Sequence, residues 1–259
     1  MRIIIFFTVF AGAVLSVPLS RETPIKPNVE LLSERIIDVA LTPKDIQFDV
    51  LFLIDETETD NFTVTTGVPF VLNLLQLYTT DQTHARVGFI TIPNAADKTM
   101  PVTFLSAIDS YDSLVANAIQ VDDFVDSATD PTEMRMTRAL QYAHGRFMLP
   151  ANGYRTTINN HLIVILTETS TVLDSATATQ EAAKILNEQS FGIITVGYGP
   201  KANMNALSPF AGSDCTFIAP DYATLTGLVT QSIQNKIWAA YNATGGKYCG
   251  VPTAGVRLY

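Results

Sequence analysis

Three long apolar segments constrain the fold of this chain more than any other feature. They occupy residues 48–54, 161–167 and 191–197. Near-continuous apolar runs of this length are typical of strands buried on both faces, as in parallel sheets covered by helices. Helical spacing predicts helices near residues 68–78, 114–121, 139–148, 176–187 and 222–237, and shorter apolar runs predict strands near 86–92, 101–105 and 216–218. Strands that alternate with helices predict an α/β fold with a doubly wound, mostly parallel sheet flanked by helices.

The N-terminal residues have the three parts of a secretory signal. Arg2 precedes an apolar run from Ile3 to about Val14, and small residues follow, with cleavage predicted after Ser16. The alternative is a membrane anchor, but the run is shorter than the roughly 20 residues that a spanning helix needs. We therefore predict a signal peptide at residues 1–16, a linker or packed arm at 17–45, one globular domain at 46–241, a tail at 242–259, and a secreted, extracellular protein.

An extracellular location gives meaning to the cysteines and to two sequons. Cys215 and Cys249 are the only cysteines, and in an oxidising compartment an even pair predicts a disulfide. Two reduced thiols are the alternative. Asn61 and Asn242 each begin an Asn-x-Thr glycosylation sequon.

The composition argues against several function classes. The chain has 25 acidic and 16 basic residues and a formal charge of -9 at pH 7, which argues against nucleic-acid binding because a phosphate backbone requires a basic surface. No apolar stretch after the signal is long enough to span a membrane. The sequence has no Gly-x-Ser-x-Gly elbow, no phosphate-binding loop and no obvious nucleophile–base pair, so we predict that it is not an enzyme.

Carboxylates and hydroxyls follow two of the predicted strands. The first strand leads into Asp55, Thr57 and Thr59, and the central strand leads into Glu168. Ligands of open α/β sheets bind beyond the carboxyl ends of the strands, so these loops are neighbours if their strands are. Their oxygens suit one divalent cation, Mg²⁺, Mn²⁺ or Ca²⁺. Alternatively, the first-loop side chains only cap the following helix.

The order and spacing of short motifs resemble the von Willebrand factor type A domain family over roughly residues 46–241. The motifs are Asp55-x-Thr57-x-Thr59, Arg86-Val87-Gly88-Phe89-Ile90, Arg138-Ala139-Leu140, Ile165-Leu166-Thr167-Glu168, Ile193-Ile194-Thr195-Val196-Gly197-Tyr198-Gly199, Leu207-Ser208-Pro209-Phe210-Ala211 and Asp221-Tyr222-x-x-Leu225. The resemblance implies a Rossmann-like fold with a metal-ion-dependent adhesion site.

The resemblance also implies a set of metal ligands, with two departures from the family pattern. In the family, a motif Asp with two hydroxyls, a Thr from a second loop and an Asp from a third hold the ion, and a partner protein's carboxylate completes its coordination. Asp55, Thr57 and Thr59 match the first loop, but Glu168 replaces the third-loop Asp. Met134 stands at the position of the second-loop Thr. A shift of that loop could present Thr132 or Thr137 instead.

These observations predict a secreted, non-enzymatic module that binds an extracellular protein, as in adhesion. The metal site is degenerate under this reading, and a glycan at Asn61 would crowd a partner at the ion, so the domain either binds its ligand to one side of the site or no longer uses the metal. The alternative is a structural component of an extracellular matrix with an inactive metal site.

Overall fold

The computed structural model describes residues 42–55, 63–92, 100, 102–119, 135–168, 175–188, 191–244 and 246–249. The strands are β1 (Phe48–Asp55), β2 (Ala85–Ile92), β3 (Val102–Thr103), β4 (His161–Thr167), β5 (Gly192–Tyr198) and β6 (Thr216–Ala219). The helices are α1 (Val68–Leu75), α2 (Tyr111–Ile119), α3 (Arg135–Tyr142), α4 (Ser175–Asn187), α5 (Met204–Ala211), α6 (Tyr222–Thr224) and α7 (Thr230–Ala239). Wider π-helical turns span Thr63–Gly67, Ala143–Phe147, Leu225–Val229 and Ala240–Thr244, and 3-10 turns span Pro43–Asp45, Pro150–Asn152 and Ser213–Cys215.

The described strands form one six-stranded sheet in the order β3-β2-β1-β4-β5-β6. Neighbouring strands are parallel except for the short edge strand β3, which is antiparallel to β2. The predicted α/β fold with a mostly parallel sheet flanked by helices is therefore confirmed.

The central strands are buried along their whole length because helices cover both faces of the sheet. All eight residues of β1 and all seven residues of β4 are buried. The apolar core gathers side chains from every strand, with Phe48, Phe52, Phe70, Phe147 and Phe210 among the largest that are fully buried. Burial on two faces explains why these strands read as continuous apolar runs rather than as alternating ones.

Several sequence predictions concern residues outside the described ranges. These are the signal peptide, most of the arm, the tail from residue 250 onward, Thr57, Thr59, Asn61, Thr132 and Met134. Among the described residues, no helix has the length and apolarity needed to cross a membrane.

Candidate functional site

The parallel pairing of β1 with β4 brings the two predicted loops to one edge of the sheet. Asp55, the last residue of β1, is in register with Thr167, the last residue of β4, and Glu168 follows directly. Because both strands run in the same direction, their carboxyl ends meet, as expected for the ligand-binding edge of an open α/β sheet. We call this region, defined by Asp55, Thr167 and Glu168, the carboxyl edge.

The Asp55 carboxylate is buried and held by a neighbouring hydroxyl. Its residue is 4% exposed, and Thr167 Oγ1 donates a hydrogen bond of 2.9 Å to Asp55 Oδ2. A hydrogen bond to an ionised carboxylate is stronger than one between neutral groups, and it fixes the direction of the acceptor. Thr167 therefore orients Asp55 at the end of the strand.

Glu168 places a second carboxylate at the same edge. Its Oε1 is buried and accepts no hydrogen bond from the residues that the structure describes. A buried carboxylate oxygen is costly unless it is paired or bound to a cation. Glu168 is therefore suited to a cation ligand, with a side chain one methylene longer than Asp.

The rest of the predicted ligand set is only partly within the described structure. Thr137 is fully buried within α3, while Thr57, Thr59, Thr132 and Met134 lie outside the described residues. The described residues contain no group of three or more His, Cys, Asp or Glu side chains arranged to hold a metal ion. The described part of the carboxyl edge thus supplies two carboxylates and one hydroxyl. This all-oxygen chemistry fits Mg²⁺, Mn²⁺ or Ca²⁺.

A second charged cluster, which was not predicted from the sequence, lies at the opposite ends of the strands, near the start of β1 and β4. Asp49 of β1 is fully buried, and its Oδ1 accepts a hydrogen bond of 2.8 Å from Arg155 Nε. Arg155 also donates to the backbone carbonyls of Phe48 and His84. The only sequence signal was a charged residue inside an otherwise apolar strand, because a buried carboxylate needs a partner.

The C-terminal segment, residues 246–249, is fastened to the domain. A disulfide joins Cys215 to Cys249, as the sequence predicted. Lys236 Nζ of α7 donates to the Tyr248 carbonyl at 3.2 Å, and burial lowers the pKa of Lys236, with partial compensation from Asp214. Asn242 is exposed in the turn after α7, where its Nδ2 donates to the Trp238 carbonyl at 3.0 Å.

Comparison with known proteins identifies the family to which this fold corresponds. Residues 49–231 match the von Willebrand factor type A domain family. Protein irg-7 from Caenorhabditis elegans is 33% identical over 205 residues, which cover 78% of this chain and 9% of that protein. The chain therefore corresponds to a small part of this curated relative.

Solved structures with the same fold are more distant in sequence. Proximal thread matrix protein 1 from the mussel byssus superposes with a TM-score of 0.59 at 16% identity, over 74% of this chain and 49% of that one. The same mussel protein has been solved with zinc in its metal-ion-dependent adhesion site (MIDAS) motif. Manganese-loaded TRAP protein of Plasmodium vivax superposes with a TM-score of 0.52 at 14% identity, over 74% of this chain and 75% of that one.

The family match over residues 49–231 is consistent with the observed sheet order and with the position of Asp55 at the end of β1. This chain belongs to the von Willebrand factor type A domain family.

Proposed function

We propose that this domain binds an extracellular protein through a divalent cation at the carboxyl edge. The observation that carries the proposal is that two carboxylates, Asp55 and Glu168, lie at the carboxyl ends of the neighbouring strands β1 and β4. Thr167 holds Asp55 by a hydrogen bond, and the buried Glu168 Oε1 lacks a hydrogen-bond partner among the described residues. Such an arrangement is costly without a cation and favourable with one.

Each residue of the proposed cation site has its own role. Asp55 and Glu168 supply negative charge, and Thr167 holds the Asp55 carboxylate in position by its hydrogen bond. Thr57 and Thr59 are the predicted hydroxyl ligands of the first loop. When bound, the cation offers a coordination position to a carboxylate of the partner protein.

Related structures support a cation at such a site without identifying the one used here. The mussel thread matrix protein carries zinc in its MIDAS motif, and the Plasmodium vivax TRAP protein is loaded with manganese. The oxygen donors of the present chain favour Mg²⁺, Mn²⁺ or Ca²⁺, which prefer carboxylates and hydroxyls to sulfur.

The proposal includes secretion and a non-catalytic role. The Cys215–Cys249 disulfide suits an oxidising compartment, consistent with a signal peptide at residues 1–16. The exposed Asn242 suits a glycan at that sequon. A glycan at Asn61, the second predicted acceptor, would restrict the partner to one side of the cation. Binding of a protein through a cation requires no nucleophile or general base.

A structural role in an extracellular matrix is the second candidate. Glu168 and Met134 depart from the family pattern, since a longer carboxylate and a thioether replace an aspartate and a hydroxyl. A thioether is a poor ligand for a hard cation. A matrix component could keep the fold while its metal site is inactive.

A pull-down separates the two candidates. The secreted protein is immobilised and exposed to extracellular material from its source, with Mg²⁺ and Mn²⁺ or with EDTA. We expect a partner that is retained with the cations, released by EDTA and absent with Asp55→Ala. Gln180→Ala, a change at an exposed position of α4, is the control and should retain the partner. Capture that is unaffected by EDTA and by Asp55→Ala would favour the matrix role.

A further inference from the structure

The two cysteines of the disulfide differ in their access to solvent. Cys215 is the last residue of the 3-10 turn Ser213–Cys215 and is fully buried, whereas Cys249 is half-buried. Cys249 also lines a cavity of about 560 Å³ whose described lining does not include Cys215. We call this space the basal cavity, since His161 and Gly192 place it at the amino ends of β4 and β5. A reagent in the basal cavity therefore meets Cys249 rather than Cys215.

The basal cavity is large enough to hold a small thiol. Its volume lies within the range of about 300–1,000 Å³ that is usual for small-molecule sites. Tyr154 and Phe191 form an aromatic wall, with ring centroids 5.8 Å apart. Leu186 and Thr156, which also line the cavity, are exposed, so the cavity is open to solvent. A thiol in solution therefore has a route to Cys249 while the protein stays folded.

The C-terminal segment is held by contacts that do not depend on the disulfide. Lys236 Nζ donates a hydrogen bond to the Tyr248 carbonyl at 3.2 Å. The Tyr248 ring is buried against Gly192, where an added Cβ would lie only 2.4 Å from it. We expect these contacts to keep Cys249 in place when the disulfide opens.

From this difference in access we propose that Cys249 is a site of reversible modification by a small thiol, such as glutathione, that enters the basal cavity. The thiolate of the small molecule attacks Cys249 Sγ, and a mixed disulfide forms between the two. The Cys215–Cys249 bond breaks at the same time, and Cys215 leaves with the electron pair as a thiolate, which then takes a proton from water. One disulfide replaces another, so no separate oxidant or reductant is needed.

The modification is reversible because the two cysteines stay close together. Their Cα atoms are 5.6 Å apart in the disulfide-bonded form, and the contacts of Tyr248 hold the segment there. When the small thiol is removed, Cys215 attacks the mixed disulfide and restores the original bond. The site makes the covalent tie of the C-terminal segment depend on the thiol concentration. It is separate from protein recognition at the carboxyl edge and needs no cation.

The position of the adduct tests the proposal directly. The full chain is incubated with reduced glutathione, samples are stopped with acid at early times, and mass spectrometry of peptic fragments locates the glutathionyl group. We expect the folded protein to carry the adduct on Cys249 at least about tenfold more often than on Cys215, because only Cys249 is accessible. The same reaction in urea that unfolds the chain removes the difference in access and should place the adduct on both cysteines. An adduct on the folded protein that lies mainly on Cys215 or equally on both, or no adduct on the folded protein, would overturn the proposal.

The rate of the reaction separates entry through the cavity from exchange after unfolding. The initial rate of adduct formation is measured at urea concentrations below the unfolding transition. It is measured for the wild type, Leu186→Trp and Leu77→Trp. Leu186 lines the basal cavity and Leu77 does not, while the two leucines are equally accessible, at 36% and 37% exposed.

We expect a rate that is proportional to the glutathione concentration and unchanged by low urea, because no further surface is exposed before the attack. Leu186→Trp should lower the rate by about threefold or more by narrowing the cavity, and Leu77→Trp should leave it unchanged. If Leu186→Trp fails to fold by circular dichroism, Thr156→Trp replaces it, since Thr156 is an exposed part of the lining. A rate that rises steeply with urea, or that the cavity and control variants change equally, would show that the thiol does not enter through the cavity and would overturn the proposal.

Discussion

At the scale of single residues, the hydroxyl of Thr167 holds the Asp55 carboxylate in position at the carboxyl edge. Thr167 is fully buried and donates to the buried Asp55 carboxylate. Thr167→Val keeps the shape of the side chain but removes the donor, so we expect the free energy of unfolding to fall by about 1.5–3 kcal/mol, the range for a hydrogen bond to a charged group. Urea unfolding measures the change. Thr167→Ser retains the hydroxyl and should cost clearly less, whereas equal losses would show that packing alone matters.

Asp81 provides a pH-dependent prediction at the same scale. Burial raises its pKa, but hydrogen bonds from the backbone and side chain of His84 and the backbone of Thr83 outweigh this, so the pKa of Asp81 lies below its ordinary value of 3.8. A carboxyl group with a lowered folded pKa stabilises the fold above the unfolded pKa, and this contribution is lost as the pH falls through the folded value.

The matched comparison is wild type against Asp81→Asn in thermal unfolding from pH 7 to pH 2. We expect the wild type to melt at the higher temperature at neutral pH and the difference to shrink below pH 3.8. A difference that stays constant across this range would contradict the role of the ionised carboxylate.

Two pairs of residues show which neighbours can be predicted from the sequence and which cannot. Asp55 and Glu168 were predicted to meet because each directly follows a strand, and strand ends of a parallel sheet converge. Their role as metal ligands remains a prediction. The Asp49–Arg155 pair was not predicted, because its members are 106 residues apart and neither belongs to a local motif. Pairing at such a distance depends on the tertiary fold.

At the scale of elements, glycines set how closely the C-terminal segment packs. Gly246 has φ 97°, and a Cβ there would collide with the Asn159 carbonyl. Gly246→Ala should lower the free energy of unfolding by about 1–3 kcal/mol, because the backbone conformation disfavours other residues and the space is filled. Gly227 lies in a helical turn where an added Cβ meets no atom within 4 Å. Gly227→Ala should therefore leave stability equal or raise it by about 0.5–1 kcal/mol. Chemical denaturation of both variants checks the opposite signs, and equal effects would contradict the packing argument.

The elements themselves followed the sequence pattern where burial was strong. The central strand was predicted at residues 161–167 and is observed at His161–Thr167, because two buried faces leave a continuous apolar run. α5 (Met204–Ala211) was not predicted as a helix. It is short and contains Pro209, and proline within such a run normally indicates a break. The last predicted helix is interrupted by the wider turn at Leu225–Val229, which apolar spacing alone does not reveal.

At the scale of the whole molecule, the disulfide ties the end of the described chain to the 3-10 turn that precedes β6. Cys215 and Cys249 are 34 residues apart, and closing a loop of this length restricts the unfolded chain by roughly 3–4 kcal/mol. Replacing both cysteines with serine should lower the free energy of unfolding by about that amount, measured by guanidinium unfolding. Addition of a reducing agent should lower the free energy of unfolding of the wild type and leave that of the double variant unchanged. If reduction does not change the free energy of unfolding of the wild type, the disulfide does not stabilise the fold.

Cation-dependent melting is the decisive test of cation binding at the carboxyl edge. The melting temperature of the purified protein is measured in EDTA and in increasing Mg²⁺ or Mn²⁺, alongside Asp55→Ala and Glu168→Gln. A cation that binds the folded state raises the melting temperature with concentration. We predict a rise for the wild type, a smaller rise for Glu168→Gln and none for Asp55→Ala, whereas a wild-type melting temperature that does not respond to either cation would contradict the claim.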